Sequence, residues 1–346
     1  MMEIKPANSK ERGEWNAFVR ENYPPVGGFM QSWEWGMFQE SLGRTARRYF
    51  IFDGGRRRSA VFIVRHALPF GLFYDYAPRG PVFAYDATDV EAAKIVGAIR
   101  LWALENLPGS VFLRLEPPRT ALPIGPSPDY FFPLYYVQPR YNMAIPLAGT
   151  EDEIVKRFHP TTRSNLARAM RRGVTVTNGS SVSPADLDSF DSMIRETARR
   201  TGGHNAYPER RYFDALVGVF SAADAARAAG VVSLGIFRGY HAGALAAIHL
   251  VLFFGDTATY LYGASLTKSL SSKVTTYLHW TAAREAKRRG FLFYDLGGID
   301  DARWPSLTTF KRQFRGKEFR YIGNCDIAMR PFSYRLYNLL RRIKKP

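Results

Sequence analysis

The side chains able to do chemistry in this 346-residue sequence are mostly cations, and they are unevenly spread. Lys156–Gly173, Lys311–Arg320 and Arg330–Pro346 together hold 17 Lys and Arg against one acid, Glu318, while the whole chain carries a net charge of +17. The rest of the chain is therefore nearly neutral. Concentration in three segments is what a surface facing polyphosphate needs, because each neutralised phosphate releases counterions; solvated helix faces are the plainer alternative. The six histidines lack metal-ligand spacing, and G-x-S-x-G, H-E-x-x-H and P-loop patterns are missing, so metal and serine-hydrolase chemistry is not expected. His159 precedes a proline in a basic segment, where it can meet a phosphate or the broken turn. His249 alternates within an apolar strand and reads as a satisfied core histidine.

A single cysteine, Cys325, allows no internal disulfide and points to a reducing compartment, with Cys325 as inert packing. The N-terminus has no apolar core of the signal-peptide type. The longest apolar run, Ala242–Gly255, is broken by His249 and too short to span a bilayer, so a cytoplasmic protein is expected. At 46% hydrophobic and 14% aromatic residues, the chain can bury a full core.

The elements that must position these residues recur. Arg48–Val64 and Gly71–Phe83 read as strands, Ile95, Ala98, Ile99, Trp102 and Ala103 as a helix face, and Phe112–Glu116 as a short strand. Val231–Phe237, Ala242–Phe254 and Thr257–Gly263, then Val274, Tyr277, Leu278, Thr281 and Ala282, then Phe291–Asp295, repeat that order at an offset of 179 residues. Glu116 and Asp295 fall at equivalent strand ends. A helix with Phe190, Met193, Ile194, Thr197 and Ala198 on one face opens the second half. Both halves then read as helix, antiparallel strands, helix, strand, which suits an α/β (α+β) chain of two tandem domains of the N-acetyltransferase (GNAT, acyl-CoA N-acyltransferase) type. The expected domains are 1–150 and 151–346, the second taking in a basic linker helix, broken at His159-Pro160 and capped by Thr161 or Thr162, and the C-terminal tail.

That fold ordinarily holds the coenzyme A pyrophosphate in a Gly-rich turn. Here the equivalent connections, Leu266–Val274 and Ala84–Asp89, contain no glycine, which disfavours an acetyl donor. Near the C-terminus, Leu336, Leu339, Leu340 and Ile343 share a helical face amid arginines. Such a stripe usually packs on its own domain and otherwise lies on an anionic membrane.

Seven segments in order carry a resemblance: Phe29–Gly36, Ala77–Val82, His159–Asn165, Glu196–Gly202, Tyr260–Ser265, Tyr294–Gly298 and Phe310-Lys311. The sequence resembles the Fem (FemA, FemB, FemX) non-ribosomal peptidyltransferases, of the compact kind without a helical arm, since only Ser221–Gly230 separates helix from strand. The resemblance implies transfer of Gly, Ala or Ser from aminoacyl-tRNA to the stem-peptide amine of a peptidoglycan precursor, UDP-MurNAc-pentapeptide or lipid II. It implies no cofactor or metal beyond that co-substrate. The partners would be aminoacyl-tRNA, the precursor and, peripherally, the inner membrane face. It also implies an oxyanion-stabilising role for Lys311 with the backbone of Phe310, and a catalytic role for Glu116, whose rival is a plain ion pair with Arg114. Arg211, Tyr212 and Tyr262 would bind precursor, with Arg210 or Tyr207 as substitutes if the alignment slips, and Arg79 would bind it or be structural. Gln39 stands where several relatives have a phosphate-binding lysine, leaving Arg44 or Arg47 to supply the charge. Two rivals stay open: an acyl-CoA-dependent N-acyltransferase and a non-catalytic RNA-binding protein.

Overall fold

The computed structural model describes residues 2–124, 130–133, 136–200, 207–221 and 230–343, with Arg342 and Ile343 described by backbone alone. Thr201 and Gly202, most of the Ser221–Gly230 connection and the final Lys344, Lys345 and Pro346 lie outside the described residues. The chain divides into two units, Met1–Arg140 with Arg320–Pro346, and Tyr141–Phe319. This corrects the expected domains: the boundary falls near 140 rather than 150, and the C-terminal segment belongs to the first unit.

The first unit is a mixed sheet of β1 (Glu3–Pro6), β2 (Ala46–Asp53), β3 (Arg56–Ala67), β4 (Phe73–Ala77), β5 (Val82–Phe83), β6 (Ser110–Leu115), β7 (Tyr130–Phe131) and β15 (Cys325–Ala328). Its order is β1-β2-β3-β4-β6-β15-β7, with β5 on β3, and β4–β6 is parallel. Helices α1 (Arg12–Asn22) and α2 (Trp33–Ser41) precede β2, and α3 (Asp89–Asn106) connects the parallel strands. α3 starts where Thr88 accepts from Glu91 N–H, with Asp89 and Glu91 in the positive first turn. Its Ile95, Val96, Ile99 and Ala103 bury against Ile51, Val61, Ile63, Leu113 and Leu115. The C-terminal segment is needed because Arg114 has no acid on its own strand to pair with. β15 supplies Asp326, which accepts from Arg114 Nε and Nη2 at 2.7 and 2.6 Å in a fully buried pair. The alternative Arg114–Glu116 ion pair is therefore not the arrangement found.

The second unit repeats the pattern with β8 (Tyr141–Pro146), β9 (Thr175–Gly179), β10 (Ser233–His241), β11 (Ala244–Phe254), β12 (Thr257–Ser265), β13 (Phe293–Ile299) and β14 (Lys317–Arg320), in the order β9-β10-β11-β12-β13-β8-β14. β12–β13 is its parallel pair, and β8 lies antiparallel on β13 as β15 does on β6. The fold class is as expected, two sheets of matching strand order. The helices are α4 (Glu151–Arg157), α5 (Pro160–Arg171), α6 (Pro184–Arg200), α7 (Arg210–Phe220), α8 (Val274–Arg288) and α9 (Pro305–Arg312). α8 buries Val274, Leu278, Ala282 and Ala286 against Val251, Tyr294 and Leu296, with Phe158 and Leu166 filling the same core. The cap of α5 is His159, whose Nδ1 accepts from Thr161 N–H, rather than either threonine. His159 thus takes up the broken turn.

α10 (Pro331–Ile343) departs from its sequence reading. It docks through Tyr334 and Tyr337 on Phe112, leaving Leu336, Leu339 and Leu340 exposed. The side chain of Ile343 is outside the described residues. No helix among the described residues is long and apolar enough to cross a membrane.

Candidate active site

Parallel pairing of β12 with β13 runs over Thr257↔Phe293, Ala258↔Tyr294 and Thr259↔Asp295 and stops there. Beyond Asp295, β13 holds Gly297 at φ +82°, in the left-handed region open to glycine. A Cβ on Gly297 would lie 3.4 Å from Lys311 Nζ and 3.7 Å from the Tyr260 carbonyl oxygen. The ammonium of α9 thus reaches into the fork where two parallel strands part. It donates to Gly298 O at 2.7 Å, and only 5% of Lys311 is exposed.

Burial lowers the Lys311 pKa to about 8, against the pull of the nearby Asp295 carboxylate. At neutral pH Lys311 still carries its proton, in surroundings where a positive charge acts strongly on whatever lies beside it. Asp295 is itself fixed, accepting from Gly297 N–H at 2.8 Å and Asn142 Nδ2 at 3.2 Å. An ammonium held this way suits stabilising a developing oxyanion.

Behind Lys311 lies an aromatic floor that sequence reasoning missed. The Phe310 ring packs on His279 and Phe314, and His279 sits 4.4 Å from His249 and 4.6 Å from Tyr260, centroid to centroid. Nδ1 of His279 and Tyr294 Oη are 3.1 Å apart. Both histidines are buried, and desolvation holds both neutral, His249 down to about 3. His249 is a core residue as expected, but it is not fully satisfied, because its Nδ1 has no hydrogen-bond partner among the described residues. The signal available in sequence was the spacing of His249, Tyr260 and His279 on elements that pack together, which needs the register to read.

A register shift opposite Leu250 and Val251 inserts Leu261 as an extra residue in β12. The bulge turns Tyr262 away from the face that Tyr260 shares with α8. Tyr262 Oη donates to Tyr212 Oη at 3.1 Å, its ring packs on Phe213, and Tyr207 Oη donates to Gly263 O. The structure therefore brings Tyr207, Tyr212 and Tyr262 together, with Tyr262 on the opposite face of β12 from Tyr260. Arg211 is largely exposed beside Glu209, whereas Arg210 is held by Asp188 and Asp214.

The remaining candidates lie in the first unit. Glu116 is buried and accepts from Tyr76 Oη at 2.6 Å and from the N–H groups of Arg79 and Gln138, both at 3.1 Å. Burial raises its pKa despite these donors. Like Asp295, it accepts from a backbone N–H just beyond a parallel strand. Arg79 donates to Pro139 O and lies over the Tyr321 ring. Gln31 ties two of the quoted segments together, accepting from Phe62 N–H and donating to Pro78 O. Gln39 is buried and accepts from Arg44 Nη1 at 2.5 Å, so Arg44 brings a cation to this position while Arg47 turns toward Asp75.

Two of the basic segments meet. His159 N–H and Thr162 Oγ1 both donate to Gln313 O, fastening the start of α5 to the end of α9. Arg168 and Arg171 of α5 are exposed.

A family model described as the FemAB family matches residues 134–227 and 237–342. A lipid II:glycine glycyltransferase of Staphylococcus aureus (strain MRSA252) is 23% identical over 415 aligned positions, covering 96% of this chain and 94% of that protein. The aligned length exceeds the 346 residues of this chain, so that relative carries insertions absent here. The crystal structure of FemX superposes with a TM-score of 0.76 at 18% identity, covering 97% of this chain and 100% of that one. A tandem GNAT protein from the clavulanic acid biosynthesis pathway gives 0.53 at 12% identity, covering 95% and 99%. These likenesses bear out the tandem N-acetyltransferase-like fold, and the family model spans more than half of the sequence. The chain belongs to the FemAB family.

Proposed function

We propose that the protein is a tRNA-dependent aminoacyltransferase that adds Gly, Ala or Ser to the stem-peptide amine of a peptidoglycan precursor. Lipid II, the substrate named for the staphylococcal relative, is the preferred acceptor over its soluble UDP-linked counterpart. The co-substrate is aminoacyl-tRNA, with no further cofactor. The setting is the cytoplasm, with peripheral contact at the inner membrane face.

The observation that carries this reading is the Lys311 ammonium, buried in the strand fork and held by Gly298 O. The ester of an aminoacyl-tRNA is already activated, so aminolysis needs positioning and charge stabilisation more than elaborate acid–base machinery. The acceptor nitrogen forms a bond to the ester carbonyl carbon, negative charge develops on the carbonyl oxygen, and the bond from that carbon to the ribose oxygen breaks as the proton lost by the amine goes to the departing ribose oxygen, which leaves as a hydroxyl. In this reading Lys311 faces that oxygen. Arg168 and Arg171, on a helix fastened to α9, give a cationic approach for a phosphate backbone. Tyr212 and Tyr262 are the precursor-binding candidates.

Incubating the protein with separately charged glycyl-, alanyl- and seryl-tRNA, and with lipid-linked or soluble precursor, tests the reading by the mass added to the acceptor. Lys311→Ala should lose roughly a hundredfold or more of the rate. Acetyl transfer from coenzyme A without any response to charged tRNA would point to an acyl-CoA enzyme instead. Salt-sensitive tRNA binding with no transfer would leave an RNA-binding protein.

A further inference from the structure

Two separate elements of the first unit that pack on one apolar cluster each expose large apolar side chains. The turn between β3 and β4 puts Phe70 at φ +63°, a costly conformation for a bulky residue, and leaves it 93% exposed. The flanking Leu68 and Leu72 pack into the cluster of Val111, Phe112 and Tyr334 that also seats Tyr337, so this turn and α10 adjoin. On α10, Phe332 is 82% exposed, and Leu336, Leu339 and Leu340 are open as well. Arg330 and Arg335 are also exposed, and in sequence residues 330–346 contain six Lys and Arg and no acid.

We propose that the outer face of α10 and the Phe70 turn form the surface by which the protein seats on an anionic phospholipid bilayer. The inference rests on the reading above for its purpose, since an enzyme acting on a lipid-linked acceptor meets it at a membrane. The chemistry is that of an interfacial amphipathic helix, with apolar side chains below the headgroups and arginines among the phosphates. A strained turn carrying a fully projecting phenylalanine beside such a helix extends the inserted area. The membrane is favoured over a protein partner because the charged residues of segment 330–346 are all basic and the apolar residues are exposed on a helix and a turn tip. No helix among the described residues could span the bilayer, so attachment here is peripheral.

The test is cosedimentation of the full chain with vesicles of phosphatidylcholine containing phosphatidylglycerol, and with phosphatidylcholine alone. Wild type should bind the mixed vesicles at least tenfold more tightly than the neutral ones. Phe70→Ser and the double variant Leu336→Ser/Leu339→Ser should each weaken binding about tenfold or more. Their melting temperatures and transfer to a soluble precursor should stay unchanged. Equal binding to neutral vesicles, no binding, or unaltered binding by both variants would overturn the proposal. So would a dimer in sedimentation velocity that the leucine variant dissociates, because a second copy would then own this face. Vesicle binding without transfer to any acceptor would support the surface while sinking the functional reading.

Discussion

Lys311 Nζ donates to the carbonyl oxygen of Gly298 across 2.7 Å, from a helix to a strand that has just lost its parallel neighbour. That contact fixes the ammonium in direction while burial weakens its hold on the proton, lowering the pKa to about 8. The pair defines a charge whose strength is tuned within the working pH range.

The pH profile follows. The acceptor amine, with an ordinary pKa near 10.4, must be neutral to attack, which raises kcat/KM about tenfold per pH unit. Lys311 must be charged, and above pH 8 its ammonium fraction falls about tenfold per unit. The two slopes cancel, so kcat/KM should climb to about pH 8 and then level. In Lys311→Arg, whose side chain stays charged, a lower rate should go on rising past pH 8. A wild-type rate that also rises unbroken to pH 10 would show that the ammonium is not required.

The same lysine costs stability. Its folded-state pKa of about 8 lies below its ordinary 10.5. Below pH 8 both folded and unfolded chains hold the proton, and the cost of burying it is fully present. Between pH 8 and 10.5 the folded chain sheds the proton first, so stability rises with pH in that window. The burial cost is on the order of 3 kcal/mol, and the Gly298 carbonyl gives up about 1 kcal/mol of hydrogen bonding on substitution. Lys311→Met should therefore be about 1–2 kcal/mol more stable than wild type at pH 7 by urea unfolding, with the gap narrowing at pH 10.

Tyr262 and Tyr212 join hydroxyls at 3.1 Å, with Tyr262 on the face of β12 opposite Tyr260. Removing one hydroxyl should cost at most about 1 kcal/mol of stability. If these residues bind precursor, Tyr262→Phe should raise KM for it several-fold with kcat within about twofold. A fall in kcat at constant KM would move Tyr262 into the reacting centre.

The buried Arg114–Asp326 pair ties the C-terminal strand β15 into the first sheet. Arg114→Leu leaves an unpaired buried carboxylate and should cost roughly 3–5 kcal/mol, whereas Arg114→Leu/Asp326→Leu should recover much of that loss. Denaturant midpoints of the two variants decide it. Equal losses would mean that β15 is held mainly by its apolar contacts.

Much of the frame was legible in the residues because it rests on local periodicity. Ile95, Ile99 and Ala103, like Val274, Leu278 and Ala282, are buried where their spacing placed them. The offset between Glu116 and Asp295 marked two strand ends that both close the backbone beyond a parallel pair. The C-terminal stripe misled because the amphipathic pattern names two faces without saying which meets protein, and here Tyr334 and Tyr337 do. The partners of Glu116, Tyr76 Oη and the N–H groups of Arg79 and Gln138, come from distant segments that one letter of the sequence does not name.

The sequence by itself determined which segments are helix and strand, that the pattern is duplicated, where positive charge is concentrated and which family the chain resembles. These are properties of neighbours along the chain. Only the tertiary structure decided that Lys311 lies in the fork beyond Asp295, that Leu261 turns Tyr262 from Tyr260, and that residues past 320 complete the first sheet. Burial, strand register and pairing partners join residues far apart in sequence, and a pKa or a docking face exists only once those distances are set.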